Sequence, residues 1–541
     1  MEAHNSNRNA LIPGIAAVAV IIGIFAGIVI SRVDMGNLFG RMRTAAAPPQ
    51  SDKLDSVLSL IRSEYVEDVN MDTLTERILP TLLESLDPHS TYIPAKDLAD
   101  VNESLEGHFD GIGVTFNMLT DTAMVFNVIS GGPSARAGVQ PGDRIMTIND
   151  SLVAGRKIRQ EDIIKRLRGP RGSMVKLGVE RVGISGLTPI TITRGVIPVK
   201  SLDASLMLEP GVGYIKLSRF SRTSHREILD ATAELRKQGM KKLVFDLREN
   251  SGGFLDQAIL ITNEFLPANT LIVYTEGKAS PREDQYGNGK GTLQDVELTI
   301  LIDEGSASAS EIVAGAIQDN DRGTIIGRRS FGKGLVQLQI PLDDGSAIRL
   351  TTARYYTPVG RCIQKPYDEG LESYNQDLDN RYNHSELFSV DSIRFDESMK
   401  FTTPKGRTVY GGGGIMPDVF VPIDTSSLNP YLREVIGRNI LLLYSFEFSD
   451  NHRSQLNRIK TMAEIEAYFR PMGDMVPGLV AFASRNGISP KEGELDGPWH
   501  ELLQAEIKAY IARNTALEDS GFIHFIHPVD NVIVKTLEIL K

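Results

Sequence analysis

Residues 10–30, ALIPGIAAVAVIIGIFAGIVI, contain no charged position. A helix over this run spans a hydrocarbon core of roughly 30 Å. The run is too long for the apolar core of a signal peptide, and SRVDMGNLFGRMR offers no small-x-small cleavage site directly after it. Both features point to an uncleaved single-pass transmembrane anchor behind a short tail (1–9). Only Arg8 precedes the run, whereas Arg32, Arg41 and Arg43 follow it. By the positive-inside rule alone, the large part of the chain would be cytoplasmic. Residues 31–52, ending in TAAAPPQSD, read as a linker.

Beyond the linker the period changes twice. Residues 53–106 carry helical periodicity in LDSVLSLIRSEYV and TLTERILPTLLESL, the second stopped at Asp87-Pro88. Residues 107–195 break into short apolar runs (GIGVTF, AMVFNVI, RIMTIND, VKLGVE, PITITR) separated by the turns GGPS, QPGD and RGPRG. With the one helical stretch QEDIIKRLRG, this predicts a compact, mostly β module. From 210 to 360 strands and helices alternate: VGYIKL, SHREILDATAELRKQG, KLVFDL, DQAILITNEFL, VELTILI, ASEIVAGAIQDN, GTIIG, LVQLQIPL, AIRLTTARYYT. That order predicts an α/β layer fold, assigned to 196–425. Residues 426–541 hold amphipathic stretches such as LREVIGRNILLLYSF and ELLQAEIKAYIARNT, and read as a helical C-terminal extension. The whole is an α/β multidomain chain without internal repeats.

Composition narrows the chemistry. A net charge of −11 argues against general nucleic-acid binding, and the single cysteine, Cys362, leaves no intramolecular disulfide or cysteine-based zinc site.

The stretch DEGSASASEIVAGA (303–316) places serines at 306, 308 and 310, between the strand VELTILI and a helix. A hydroxyl at a helix N-terminus meets free N–H groups and a favourable dipole for developing negative charge. Ser308 also fits a plain helix cap, because Glu311 stands three residues on, as in a capping box. A serine nucleophile needs a proton acceptor. No histidine spacing supplies a serine–histidine–aspartate arrangement.

GRRSFGKGLVQLQIPL supplies another acceptor. Lys333, between Gly332 and Gly334, enters an apolar β-run, and burial lowers a lysine's pKa until the neutral amine can act as a base. Gln337 lies four residues on, on the same face of a strand, where its amide oxygen can accept from the amine. GRRSFGK also satisfies the G-x4-G-K phosphate-loop pattern, but Gly334 replaces the required Ser or Thr and a strand replaces the helix. The turn in DLRENSGGFLDQA, with Gly252 and Gly253, could expose backbone N–H groups, as an oxyanion hole requires, or be an ordinary turn.

Together these segments resemble the C-terminal processing peptidases, or tail-specific proteases. The resemblance rests on GSASASEIVAGAIQDN (305–320), GRRSFGKGLVQ (327–337), DLRENSGG (246–253) and ARYYTPVGRCIQ (353–364). PHSTYIP (88–94) resembles the family's lead-in helices; GIGVTF and GVQPGDRIMTIND resemble its PDZ domain, placed at 107–195. The resemblance covers roughly 53–425. It implies a serine endopeptidase with Ser308 as nucleophile, Lys333 as general base and Gln337 in support. It further implies oxyanion donors at the amides of Ala309 and of Gly252 or Gly253, and no metal or other cofactor. Gly111, Ile112, Gly113 and Val114 would receive the C-terminus of an unfolded or partly folded substrate protein. Arg168 would help hold that carboxylate or switch the PDZ domain's position. Ser251 stands where other members often have proline, and Ser330 where threonine is common. Because such enzymes act in a periplasm-like space, the resemblance places the catalytic body on the periplasmic side of the inner membrane, against the arginine asymmetry. The extension is open to self-association or to an adaptor. An inactive, membrane-tethered PDZ adaptor is the alternative; it would lack the serine or the lysine.

Overall fold

Strand Val212–Leu217 turns Ile215 and Leu217 to one side and Tyr214 to the other, and its neighbours repeat that alternation. The result is a six-stranded sheet in the order Leu202–Glu209, Val212–Leu217, Lys242–Asp246, Glu297–Ile302, Thr324–Gly327, Val419–Phe420. All neighbouring pairs are parallel except the first. Leu243, Phe245, Ile300, Ile302 and Ile325 pack with residues of helices Ser224–Lys237, Leu255–Asn263 and Ala309–Asp319. Tyr214, Val244, Leu301 and Ile326 pack with Ile523, Val532, Ile533 and Leu537 from the last two helices of the chain. Both faces are covered, as a largely parallel sheet requires.

The computed structural model describes residues 52–118, 121–129, 131–424 and 429–541. The predicted tail (1–9), anchor (10–30) and all but the end of the linker (31–52) lie outside them. Among the described residues no helix is long and apolar enough to cross a membrane. The described residues fall into two units, divided between residues 78 and 79. The described part of the first is helix Asp52–Glu64 and the start of helix Met71–Glu84.

Within the second unit, a smaller antiparallel sheet is built on the long strand Ala347–Tyr356. Strand Leu335–Pro341 lies along one side of it; Thr91–Ile93 and Leu271–Glu276 also pair with it. The β module has its own core around Val125, Ile145, Ile163 and Leu177. Strand His108–Gly111 pairs with Gly195–Pro198, so the chain enters and leaves the module side by side.

The helical extension divides its packing between two surfaces. Helices from Pro430 to Arg513 bury a core of their own, but Glu518–Ile526 and Asn531–Leu540 close the second face of the six-stranded sheet. An amphipathic pattern reports that a face is buried, not against what. Strands Leu202–Glu209 and Leu271–Glu276 were also absent from the sequence reading.

Candidate active site

The three alternating serines separate by environment. Ser306 and Ser310 are fully buried. Ser306 Oγ donates to Leu247 O at 2.8 Å, and Ser310 Oγ to Asn250 O at 2.8 Å. Ser308 is half-buried, and its hydroxyl donates to no group among the described residues. Its φ of 54° and ψ of −111° lie in a region that non-glycine residues rarely adopt. Helix Ala309–Asp319 is buried on every side and begins directly after it. The capping box is formed, with the Ser308 N–H donating to Glu311 Oε2 at 2.8 Å. The cap reading and an available hydroxyl hold together.

Glu311 does more than cap. The same Oε2 accepts from the Lys333 N–H at 2.9 Å, while Oε1 accepts from Ser330 Oγ at 2.5 Å and the Gly332 N–H at 2.7 Å. One carboxylate oxygen therefore holds the backbone of Ser308 beside that of Lys333. Tyr355 reinforces the junction, its hydroxyl lying against the carbonyls of both Ser308 (3.1 Å) and Lys333. Burial pushes the Glu311 carboxyl up to about 7 against these hydrogen bonds, which favour its ionised form.

The Lys333 amine donates to Gln337 Oε1 at 3.0 Å. The Gln337 amide nitrogen donates in turn to the carbonyl of His89, which fixes its oxygen toward the lysine. Burial pushes the Lys333 amine below its ordinary value. Arg349 pushes the same way, while Asp87 and Glu311 oppose. Burial and then the Lys333 charge push the His89 ring down to about 4, so it is neutral at working pH; its Nε2 lies 2.7 Å from Tyr374 Oη. Gly332 has φ 93°, and a Cβ there would meet Gly414 N and Lys365 Cβ at 3.2 Å. No hydrogen bond joins the Ser308 hydroxyl to the Lys333 amine in this structure; catalytic hydrogen bonds are often long without substrate.

The glycine turn presses on the serine. A Cβ on Gly252 would lie 2.8 Å from Ser308 Cβ and 3.0 Å from Ala309 N. Buried Asn250 links the two turns, accepting the Ala307 N–H on its backbone oxygen at 2.9 Å. Its side-chain oxygen accepts the Gly252 N–H at 2.9 Å, so that amide is already engaged. The N–H groups of Gly253 and Ala309 have no partner among the described contacts. Beneath the turn, fully buried Asp246 meets Arg248 at 2.6 Å and accepts from Tyr214 Oη at 2.6 Å. Arg248 reaches on to Asp530, at the cap of the final helix, at 2.9 Å.

In the β module, Gly111 ends one strand and Val114 starts the next, with buried Ile112 and Gly113 (φ 77°) between them. The carbonyls of Ile112 and Gly113 accept from Ser134 and Ile129. Strand Val114–Asn117 is an edge strand, paired only with Ala123–Val128 among the described residues. Arg168 is not a free cation at this loop. Its guanidinium pairs with Glu103 at 2.7 Å and Asp100 at 3.6 Å, and lies 4.6 Å from the Phe109 ring centre. Tyr355, Asn250 and His89 lie in segments that carry the resemblance but had no role assigned to them, and Arg349 lies outside those segments. Glu311 was visible only as a cap.

Comparison with known proteins identifies the family. The model of peptidase family S41 matches residues 211–372, a PDZ domain model matches 111–186, and a family of unknown function matches 431–516. A carboxy-terminal-processing protease of Bartonella bacilliformis is 38% identical over 320 residues, covering 58% of this chain and 73% of that protein. The carboxy-terminal processing protease CtpA of Bacillus subtilis is 31% identical over 330 residues, covering 61% and 70%. A solved photosystem II D1 C-terminal processing protease is 24% identical, covering 68% of this chain and 92% of that one, with a TM-score of 0.35. The chain belongs to peptidase family S41, as a carboxy-terminal processing serine protease with a PDZ domain.

Proposed function

We propose that this protease cleaves with Ser308 as nucleophile and Lys333 as general base, on polypeptides whose C-termini the PDZ domain receives. The observation that carries the assignment is the shared Glu311 oxygen, which holds the backbone of the one serine of the three that is not fully buried beside that of Lys333. Neutral Lys333 takes the Ser308 proton as Oγ attacks the peptide carbonyl. Gln337 holds the amine until that moment. The N–H groups of Gly253 and Ala309 receive the oxyanion; Gly252 shapes the turn instead, since its own amide serves Asn250. Lys333 then protonates the leaving amine, and water resolves the acyl-enzyme. The 111–114 turn receives the substrate carboxylate, and the substrate adds a strand to the edge Val114–Asn117. The pairing of Arg168 with Glu103 favours holding the PDZ domain in position over capturing the carboxylate. Residues 10–30 tether the enzyme to the inner membrane, with the catalytic body on the periplasmic side.

Ser308→Ala and Lys333→Ala should each lower cleavage of a tailed substrate protein by about a thousandfold or more, with melting temperature near wild type. Either variant retaining most of the activity would remove the assignment.

A further inference from the structure

Arg349 is a cation beside the base that the mechanism above leaves idle. It stands on strand Ala347–Tyr356, opposite Gln339 of strand Leu335–Pro341, and its Nη2 donates to Gln339 Oε1 at 3.0 Å. Lys333 donates to Gln337. Gln337 and Gln339 are alternate residues of one strand, and pairing between them is regular (Gln337 with Thr351, Gln339 with Arg349). Their side chains therefore leave the same face about 7 Å apart. The guanidinium and the amine are thus tethered to alternate residues on one face of that strand. Arg349 is half-buried and has no carboxylate within ion-pair distance among the described residues.

The other charged or titratable groups around the amine are Asp87 and His89 from the turn before strand Thr91–Ile93, Glu311 from helix Ala309–Asp319, and Lys365 and Tyr374 beyond His89. Both carboxylates favour a protonated lysine. Neither pairs with it directly: Asp87 accepts from the His89 and Ser90 amides and the hydroxyls of Ser90 and Thr351, and Glu311 from its own four donors. Burial opposes their field, and Arg349 is placed to oppose it further.

We propose that Arg349 is a positioning residue for the base, its uncompensated guanidinium repelling a charged Lys333 and so holding the amine in the neutral, proton-accepting form. The proposal rests on Lys333 being the base. Burial also lowers the Lys333 pKa, and Arg349 is the next contributor in the same direction.

The test is competitive acylation of the full chain with trace acetic anhydride across pH, with the Lys333 midpoint read by mass spectrometry, beside the pH profile of kcat/KM. Arg349→Gln and Arg349→Met remove the charge; Arg349→Lys keeps it. In both neutral variants the midpoint and the acid limb should rise together by about half to one pH unit, the size of effect that a partly solvated unit charge roughly 7–10 Å away produces. Arg349→Lys should keep the wild-type profile. An unmoved midpoint in the neutral variants, or an equal shift in Arg349→Lys, overturns this role alone. A wild-type Lys333 that titrates as an ordinary lysine overturns the base assignment beneath it.

Discussion

A single carboxylate stands between the two halves of the site. Glu311 accepts four hydrogen bonds, and only an ionised carboxylate can serve all four donors at once. Its pKa is raised to about 7, above the unfolded value of 4.5. Its linkage term therefore favours the fold fully at low pH, and that advantage is lost as pH rises through about 7. Activity should move the opposite way over this window, because the ionised form joins Ser308 to Lys333. Glu311→Gln presents N–H donors to backbone N–H groups. It should lower cleavage by about a hundredfold and stability by about 2–4 kcal/mol, read by kinetics and denaturant titration. Near-wild-type values for both would show that the bridge is dispensable. At this scale Ser308, Lys333 and Gln337 could be nominated from local spacing. Spacing alone did not separate Ser308 from Ser306 and Ser310; the resemblance did, and the neighbouring loop takes the hydroxyls of the other two. No residue spacing gave His89 or Arg349 a role: strand pairing brings them near Lys333.

Parallel strands with apolar runs, such as Glu297–Ile302 and Lys242–Asp246, were legible because burial on both faces makes them nearly continuous. Leu202–Glu209 was harder. Its inward Ala204, Leu206 and Leu208 alternate with Asp203, Ser205 and Met207, and the methionine blurs the period. The polar stretch around residue 380 gave no pattern at all. It folds into short helices that bury Arg381 against the carbonyls of Ser330 and Phe331. One ion-pair chain between elements is Asp246–Arg248–Asp530, joining a sheet strand, the glycine turn and the last helix. Burial raises the Asp246 pKa, but Arg248 and its other partners outweigh this and hold it at about 2. Its stabilising contribution is present above the unfolded value of 3.8 and lost as pH falls through about 2. Arg248→Met would leave that carboxylate buried and unpaired, costing about 3–5 kcal/mol and moving acid unfolding to higher pH. A wild-type denaturant midpoint in this variant would contradict the account.

The extension reaches past the sheet to the PDZ domain. Phe446 stacks on Phe126 at 4.2 Å and 6°, Asp450 joins Arg144 at 2.8 Å, and Glu518 accepts from Asn127 at 2.5 Å. Replacing Phe446 and Asp450 together with alanine should speed amide exchange in strand Ala123–Val128 about tenfold and leave the six-stranded sheet unchanged. Equal protection in both proteins would mean that the contact does not restrain the domain. None of this was legible beforehand, since helical periodicity carries no address for the surface it covers. The central claim is the pairing of one hydroxyl with one neutral amine. It is tested most directly by labelling the whole protein with a serine-reactive phosphonofluoridate from pH 6 to 10 and mapping the adduct by mass. The account predicts one adduct, on Ser308, whose rate climbs with pH as Lys333 deprotonates and collapses in Lys333→Ala. An adduct on another residue, or Ser308 labelling that is flat with pH and indifferent to Lys333, would contradict it.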